Sequence, residues 1–459
     1  MLMYKRFARN NTELRHGGRM ERMEFPSGFF RDGQKRFFDG VELSMLAREF
    51  GTPLYVMSES IIRGKCRVLR DTFINKYPRT KVYYASKAFS TLEMVRIIQD
   101  EGFGLDVVSG GELYAALKAG VSPASIIFHG NAKTDEEIHY AVKAGVGRIA
   151  VDNLEEIFRI ESEAERIGIK QAILLRVTPG VDSHTHRFIS TGSLDSKFGI
   201  PLEFSETTRY VEALKACSNV ELKGLHFHIG SQLLENTSHL AALKIVLGFA
   251  TRLYREHGIS LEELNMGGGF GIRYLPHDAS PSISDFVDPM MEIVNQWSIQ
   301  ENIPMPTCAI EPGRWIVGEA GITLYKIIAT KKIPGIRTYV AVDGGMGDNI
   351  RPALYNAPYF AEIVGTYSDQ RSVLNDRELC NVTIAGRYCE SGDILIRDID
   401  LKDPHAGDIV AFFSTGAYCF AMSSNYNRVP RPALVFVKDG KARLSVRRES
   451  FEDLVRREY

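Results

Sequence analysis

Between about residues 58 and 315 the chain alternates two hydrophobic textures. Short apolar runs stand at Val82–Ala85, Phe103–Val107, Ile126–Phe128, Arg148–Val151, Ala172–Val177, Leu222–His228, Glu263–Met266 and Cys308–Ile310. The stretches between them carry apolar residues at helical spacing. Runs of this kind fit strands buried on both faces, and their alternation with helices fits a parallel sheet. Helix starts are marked as well. Ser90 is followed three residues later by Glu93, a capping-box pattern, and a further helix follows Asn153. Thr134 precedes Asp135-Glu136-Glu137, which places acidic groups at the positive end of a helix. Eight strand–helix repeats predict an α/β fold, a closed parallel (β/α)8 barrel of the TIM type, over residues 58–315.

After residue 316 the helical period fades. Short alternating runs at Thr338–Val342, Asn381–Ala385 and Ile409–Phe413, punctuated by Gly and Pro, predict a β-rich second domain of sandwich or barrel-like type over 316–459. Residues 23–57 hold strand-like stretches too, among them Pro53–Met57. They are expected to join that second domain and make it discontinuous.

Barrel enzymes build their sites at the carboxyl ends of the strands. Several reactive residues fall there. Lys87 closes Tyr84-Ala85-Ser86-Lys87, and an ammonium at the end of a buried strand calls for a use. His226 and His228, two apart, share one face of the sixth strand. They fit a metal pair completed by His184 and His186, an imidazole packed on an aromatic cofactor, or a hydrogen-bonded core histidine. Met266-Gly267-Gly268-Gly269-Phe270-Gly271 offers backbone N–H groups that an anion can approach, or simply a tight turn. Glu311-Pro312-Gly313-Arg314 sets a carboxylate and a guanidinium on a stiff turn. A carboxylate there can pair with a pyridinium N–H, and the guanidinium with a carboxylate or phosphate. Cys389-Glu390-Ser391-Gly392-Asp393 supplies a thiol able to give up a proton, or an inert cysteine.

Composition removes other classes. The 459 residues are 44% hydrophobic and 25% charged, as in ordinary globular proteins. With 56 basic and 57 acidic residues, no nucleic-acid footprint stands out, and no apolar run is long enough to span a bilayer. Cys66, Cys217, Cys308, Cys380, Cys389 and Cys419 form no C-x-x-C pair, which points to a reduced, cytoplasmic setting. Residues 1–22 are basic without the apolar centre of a secretory signal and read as a disordered tail.

Taken together, the motifs around Lys87, His228, Gly267–Gly271, Glu311 and Cys389, with Gly416-Ala417-Tyr418, resemble the fold-type III pyridoxal-phosphate-dependent amino-acid decarboxylases from about residue 24 to 440. The resemblance implies Lys87 as the Schiff-base lysine and His228 stacked on the cofactor ring. It implies Ser231, Gly269 and Gly271 around the phosphate, and Glu311 at the pyridine nitrogen within the cofactor-binding turn Glu311-Pro312-Gly313-Arg314. Arg314, Arg351, Tyr355, Glu390 and Tyr418 would bind substrate, Tyr418 touching the cofactor as well, and Asp106 would lie near the lysine. Cys389 would be the proton donor. Cys389 and Glu390 would act in the partner subunit's site, so the family implies a homodimer with shared active sites. Ornithine-specific relatives typically carry Cys-Asp-Gly-Pro where this chain has Cys389-Glu390-Ser391-Gly392. The implied reaction is therefore decarboxylation of meso-2,6-diaminopimelate to L-lysine and CO2, the last step of lysine biosynthesis, with lysine, ornithine or arginine as the alternative substrates and no metal. A metal-dependent amidohydrolase normally carries its H-x-H pair after the first strand, and an alanine-racemase-like enzyme has an arginine where Glu311 stands.

Overall fold

A computed structural model describes residues 25–181, 195–202, 204–279, 281–367 and 377–459, with backbone alone for 204–207. The expected tail 1–22 and both His184 and His186 lie outside the described residues.

The eight apolar runs form eight parallel strands, which we label β1 (Thr80–Ala85), β2 (Gly104–Val107), β3 (Ile126–Phe128), β4 (Arg148–Val151), β5 (Gln171–Thr178), β6 (Val220–His226), β7 (Glu263–Asn265) and β8 (Thr307–Ile310). Each pairs in parallel with the next, and β8 pairs with β1, so the sheet closes on itself. A helix stands between every two successive strands. The predicted barrel is present, with strand ends displaced by up to two residues.

Side chains alternate between the two faces of each strand. One set, Tyr83, Ile127, Ala150, Leu174 and Ala309, packs as a small apolar cluster of its own. The neighbours on the other face, such as Val82, Tyr84, Ile126, Phe128 and Ile310, join the larger core with the helices. Two residues beyond the inner set come Ala85, His129, Asp152, Arg176 and Glu311. The register that fills the barrel with apolar groups therefore puts four polar side chains and one alanine at its carboxyl end. Near the other end, Glu263 is buried at 3.6 Å from both Lys81 and Arg148.

Helix starts follow the sequence signals with one correction. Asp135–Ala144 begins in a full capping box between Thr134 and Glu137, and Leu154–Ile167 is capped by Asn153. The helix expected from Ser90 runs Leu92–Asp100 instead, capped by Thr91. With Thr91 as the cap, Glu93 falls at the second helical position rather than the third, so it completes no box, and its carboxylate accepts from Arg443 of the second domain instead.

In the second domain Gly321–Ile333 is the central strand. It pairs antiparallel with Arg337–Val342, Asp408–Phe412 and Leu54–Ser58. Leu54–Ser58 also pairs in parallel with Ala433–Lys438, so a strand from before the barrel lies inside the sheet that follows it. No helix among the described residues is long and apolar enough to cross a membrane.

Gly224 sits where β6 shifts register against β5, and a Cβ there would lie 1.7 Å from the carbonyl oxygen of Glu263 on β7. The barrel closes only with hydrogen at this position. Gly224→Ala is expected to cost at least about 2 kcal/mol through forced backbone displacement. A urea midpoint equal to the wild type's would contradict this.

Candidate active site

Lys87 lies in a short 3-10 turn, Ser86–Ala88, directly after β1. Its ammonium donates to Asp106 Oδ2 of β2 at 3.4 Å. Burial works against the charge, but the Asp106 carboxylate, with Tyr418 and Glu311, holds the ammonium above the ordinary lysine range. Asp106 is only 1% exposed, and its Oδ1 has no hydrogen-bond partner. Glu112, close behind, is pushed up to about 7 by burial and by Asp106, against the Val108 N–H it accepts.

Glu311, directly after β8, is buried. Its Oε1 accepts from Asn265 Nδ2 at 2.7 Å and lies 2.9 Å from His129 Nε2, while Oε2 is 3.1 Å from His226 Nε2. Burial pushes its carboxyl up, yet the imidazoles of His129 and His226 hold it well below the usual carboxylate range. His226 itself is pushed down to about 4 by burial, so it is a neutral donor.

The Gly-rich loop follows β7. Gly267 and Gly269 have φ of 66° and 99°, in the region where glycine is favoured. A Cβ on Gly268 would lie 2.1 Å from the Glu311 carbonyl, and one on Gly269 would lie 2.3 Å from the Gly230 carbonyl. The loop is thus pressed against the turns after β6 and β8. Gly268 N–H donates to His228 Nδ1 at 3.2 Å, which fixes that ring, and Gly271 N–H donates to the Leu233 carbonyl. From behind, His239 donates from Nε2 to the Gly268 carbonyl at 2.9 Å and stacks on Phe270.

Arg314 reaches Ser231 Oγ at 2.9 Å through Nη2, donates to the Tyr274 hydroxyl, and lies 4.7 Å over the Tyr418 ring. Tyr418 comes from the second domain, its backbone N–H bonded to the Ala88 carbonyl. One cavity is walled by Lys87, His228, Ser231, Gly269, Glu311, Gly313, Arg314 and Tyr418. Gly271 and Pro312 stand next to this wall in the chain. Arg351 is buried beside it, donating to Tyr359 and lying 4.8 Å over the ring of Tyr274, the same tyrosine that Arg314 binds. Tyr355 is half-buried on the same short helix, Arg351–Tyr355. Cys389 and Glu390 are exposed and form no part of the wall.

Sequence reasoning passed over His129, Asn265 and Arg176. The last stands 3.7 Å from Asp152 and 4.4 Å over the Phe198 ring. None lies in a motif. Their signal was positional: each is a polar residue at the carboxyl end of a barrel strand.

Among the described residues, His129, His226 and Glu311 are the one group with metal-ligating atoms close together, all within 4.8 Å. The Asn265 amide N–H aimed at the same carboxylate opposes a cation there, since a donor directs positive charge inward. The pair His226 and His228 is split, one ring to Glu311 and the other to the Gly-rich loop.

A lysine at a strand end, a buried anionic carboxylate across the barrel mouth and a glycine cradle beside a serine and an arginine define a class. They suit a phosphorylated aldehyde cofactor with a basic ring nitrogen. Residues 62–318 match the family described as pyridoxal-dependent decarboxylase, pyridoxal binding domain. The chain is 44% identical over 417 residues to diaminopimelate decarboxylase of Bacillus subtilis (strain 168), covering 91% of this chain and 93% of that one. It is 43% identical over 418 residues to the enzyme of that name from Staphylococcus aureus (strain COL), covering 91% and 96%. Its fold is similar to the crystal structure of diaminopimelate decarboxylase from M. jannaschii in co-complex with L-lysine, with a TM-score of 0.87 and 34% identity over 95% of this chain and 99% of that one. The chain belongs to the pyridoxal-dependent decarboxylases, and its cofactor is pyridoxal 5'-phosphate.

His239 also yields a pH prediction. Burial pushes it from 6.5 down to about 4. The unfolded chain then binds the extra proton between those values, so this group's contribution is complete above about pH 6.5 and fades as the pH falls toward 4. Glu112 and Asp348, both raised to about 7 by burial, act in the opposite direction. The comparison is therefore with His239→Gln. Wild type should lose up to about 3 kcal/mol relative to that variant between pH 7 and pH 4 in urea titrations. Parallel pH profiles would refute it.

Proposed function

We propose that this chain decarboxylates meso-2,6-diaminopimelate to L-lysine and CO2, as a cytoplasmic homodimer with shared sites. The observation that carries the substrate is the whole-length similarity to diaminopimelate decarboxylases, 44% over 417 residues. The chemistry is supported by Glu311, an anion placed across the cavity from Lys87.

Pyridoxal phosphate, when bound, supplies an electron sink for the carbanion that loss of CO2 leaves behind. Lys87 holds the cofactor through its amine. Ser231, the Gly-rich loop and Arg314 take its phosphate, the guanidinium and hydroxyl being already together at 2.9 Å. Glu311 keeps the ring nitrogen protonated. His228 is oriented by the Gly268 N–H to present its ring to the cofactor. Arg314 and Arg351, joined through Tyr274, form the cationic end of the substrate pocket. Two arginines and the carboxylate of Glu390 suit a substrate whose far end is a second amino-acid group, and they orient the α-carboxylate for loss.

Cys389 gives the proton to the α-carbon. Its exposure, with that of Glu390, supports delivery to the cavity of a second copy.

Release of CO2 from meso-diaminopimelate is expected to exceed that from lysine, ornithine or arginine by at least about 100-fold in kcat/KM. A preference for any of the three would reassign the substrate. Lys87→Ala and Cys389→Ala should each be nearly inactive. Mixed and re-equilibrated, they should regain about a quarter of wild-type activity, since half the dimers then hold one intact site. No recovery on mixing would place Cys389 in its own chain's site or outside catalysis.

A further inference from the structure

The groups around Glu311 have a further consequence. The residues come from four strand ends: His129 after β3, His226 at the end of β6, Asn265 at the end of β7 and Glu311 after β8. Asn265 is locked, because its Oδ1 accepts the Gly267 N–H at 3.0 Å and so its Nδ2 must face Glu311 Oε1 at 2.7 Å. His226 is directed too. Its Nδ1 has no hydrogen-bond partner, while Nε2 faces Glu311 Oε2 at 3.1 Å. The other tautomer would bury an unmet N–H and turn a lone pair on the carboxylate. His129 packs edge-on against His226 at 4.6 Å between ring centroids and brings Nε2 to 2.9 Å from Oε1.

A carboxylate has about four lone-pair sites. Two hydrogen bonds and a third close nitrogen occupy most of them, leaving room for one more donor. Each donor also stabilises the anion and lowers its appetite for a proton, more so in a buried site where water does not screen.

We propose that Asn265 and His226, with the His129 ring set against the same carboxylate, are positioning residues that keep Glu311 a weakly basic anion, so that the proton it shares with the cofactor stays on the ring nitrogen. This rests on Glu311 meeting that nitrogen. Removing a donor makes the carboxylate more basic. The proton then shifts from ring to carboxylate, and the ring becomes a poorer electron sink.

The experiment loads the holoenzyme with 15N-labelled pyridoxal phosphate and reads the ring-nitrogen chemical shift. In wild type it should be that of a protonated ring, and in Glu311→Gln that of a neutral one. If these two agree, the reading of Glu311 itself fails. If they differ, Asn265→Leu and His226→Leu should each move the signal part of the way to neutral. kcat should fall about 10- to 100-fold with KM within about threefold. His226→Gln, which restores an N–H, should return most of the shift, which a merely structural role would not. Should a leucine variant fail to fold, Asn265→Ala and His226→Ala give the same reading without added bulk. A fully protonated ring in both donor-less variants would overturn the proposal, as would one equivalent of zinc retained by the purified protein on His129, His226 and Glu311.

Discussion

The structure turns on one buried charge. Glu311 sits 5% exposed at the mouth of the barrel, where an unpaired carboxylate would cost several kcal/mol. A barrel of apolar strands offers nothing to offset that cost until its last inward-facing layer. There Asn265 and His226 supply donors, and His129 brings a third nitrogen to 2.9 Å from the carboxylate. The same arrangement fixes where the carboxylate points, because its neighbours come from strands held in register on both sides. A charge that needs three strand ends to exist is also a charge that cannot drift.

The Gly-rich loop answers the same constraint from the other side. Its glycines leave no space for a Cβ against the turns carrying His228 and Glu311. Gly268 N–H orients the His228 ring, and the Gly268 carbonyl is held by His239 from the helix Thr237–His257. The loop is thus positioned by a buried imidazole behind it and in turn positions one in front. Backbone polar groups in such a loop need partners, and both of those on Gly268 have one.

Much of this could be read from the chain. The eight strands are legible because both their faces are buried, which leaves uninterrupted apolar runs. Lys87, His228 and Glu311 were legible because they stand in distinctive local strings. His129, Asn265 and Arg176 were not, since each is a lone polar residue whose meaning depends on which strands are neighbours. Counting two residues on from each inward apolar position, Ile127 to His129 or Ala309 to Glu311, would have found two of the four groups in the Glu311 cluster. The helix start at Thr91 rather than Ser90 shows the converse. A one-residue shift of the cap takes Glu93 out of box register, and its carboxylate is used instead by Arg443, some 350 residues away.

The exposed Cys389 poses the remaining physical question, which is how a surface thiol is aimed. Its loop is more tightly built than its exposure suggests. The Asp393 carboxylate, 3% exposed, accepts the N–H of Met346 at 2.7 Å and of Tyr388 at 2.8 Å. A Cβ on Gly345 or Gly386 would strike that carboxylate, so both are closed around it. Asn427 accepts the Cys389 N–H at 2.9 Å, and Tyr388 stacks on Tyr426 with ring centroids 5.9 Å apart. The Asp393 carboxylate and the Asn427 side chain hold the backbone of Tyr388 and Cys389 while the thiol stays at the surface. Such a loop keeps one shape at the surface, because opening it would strand the buried Asp393 carboxylate without its donors.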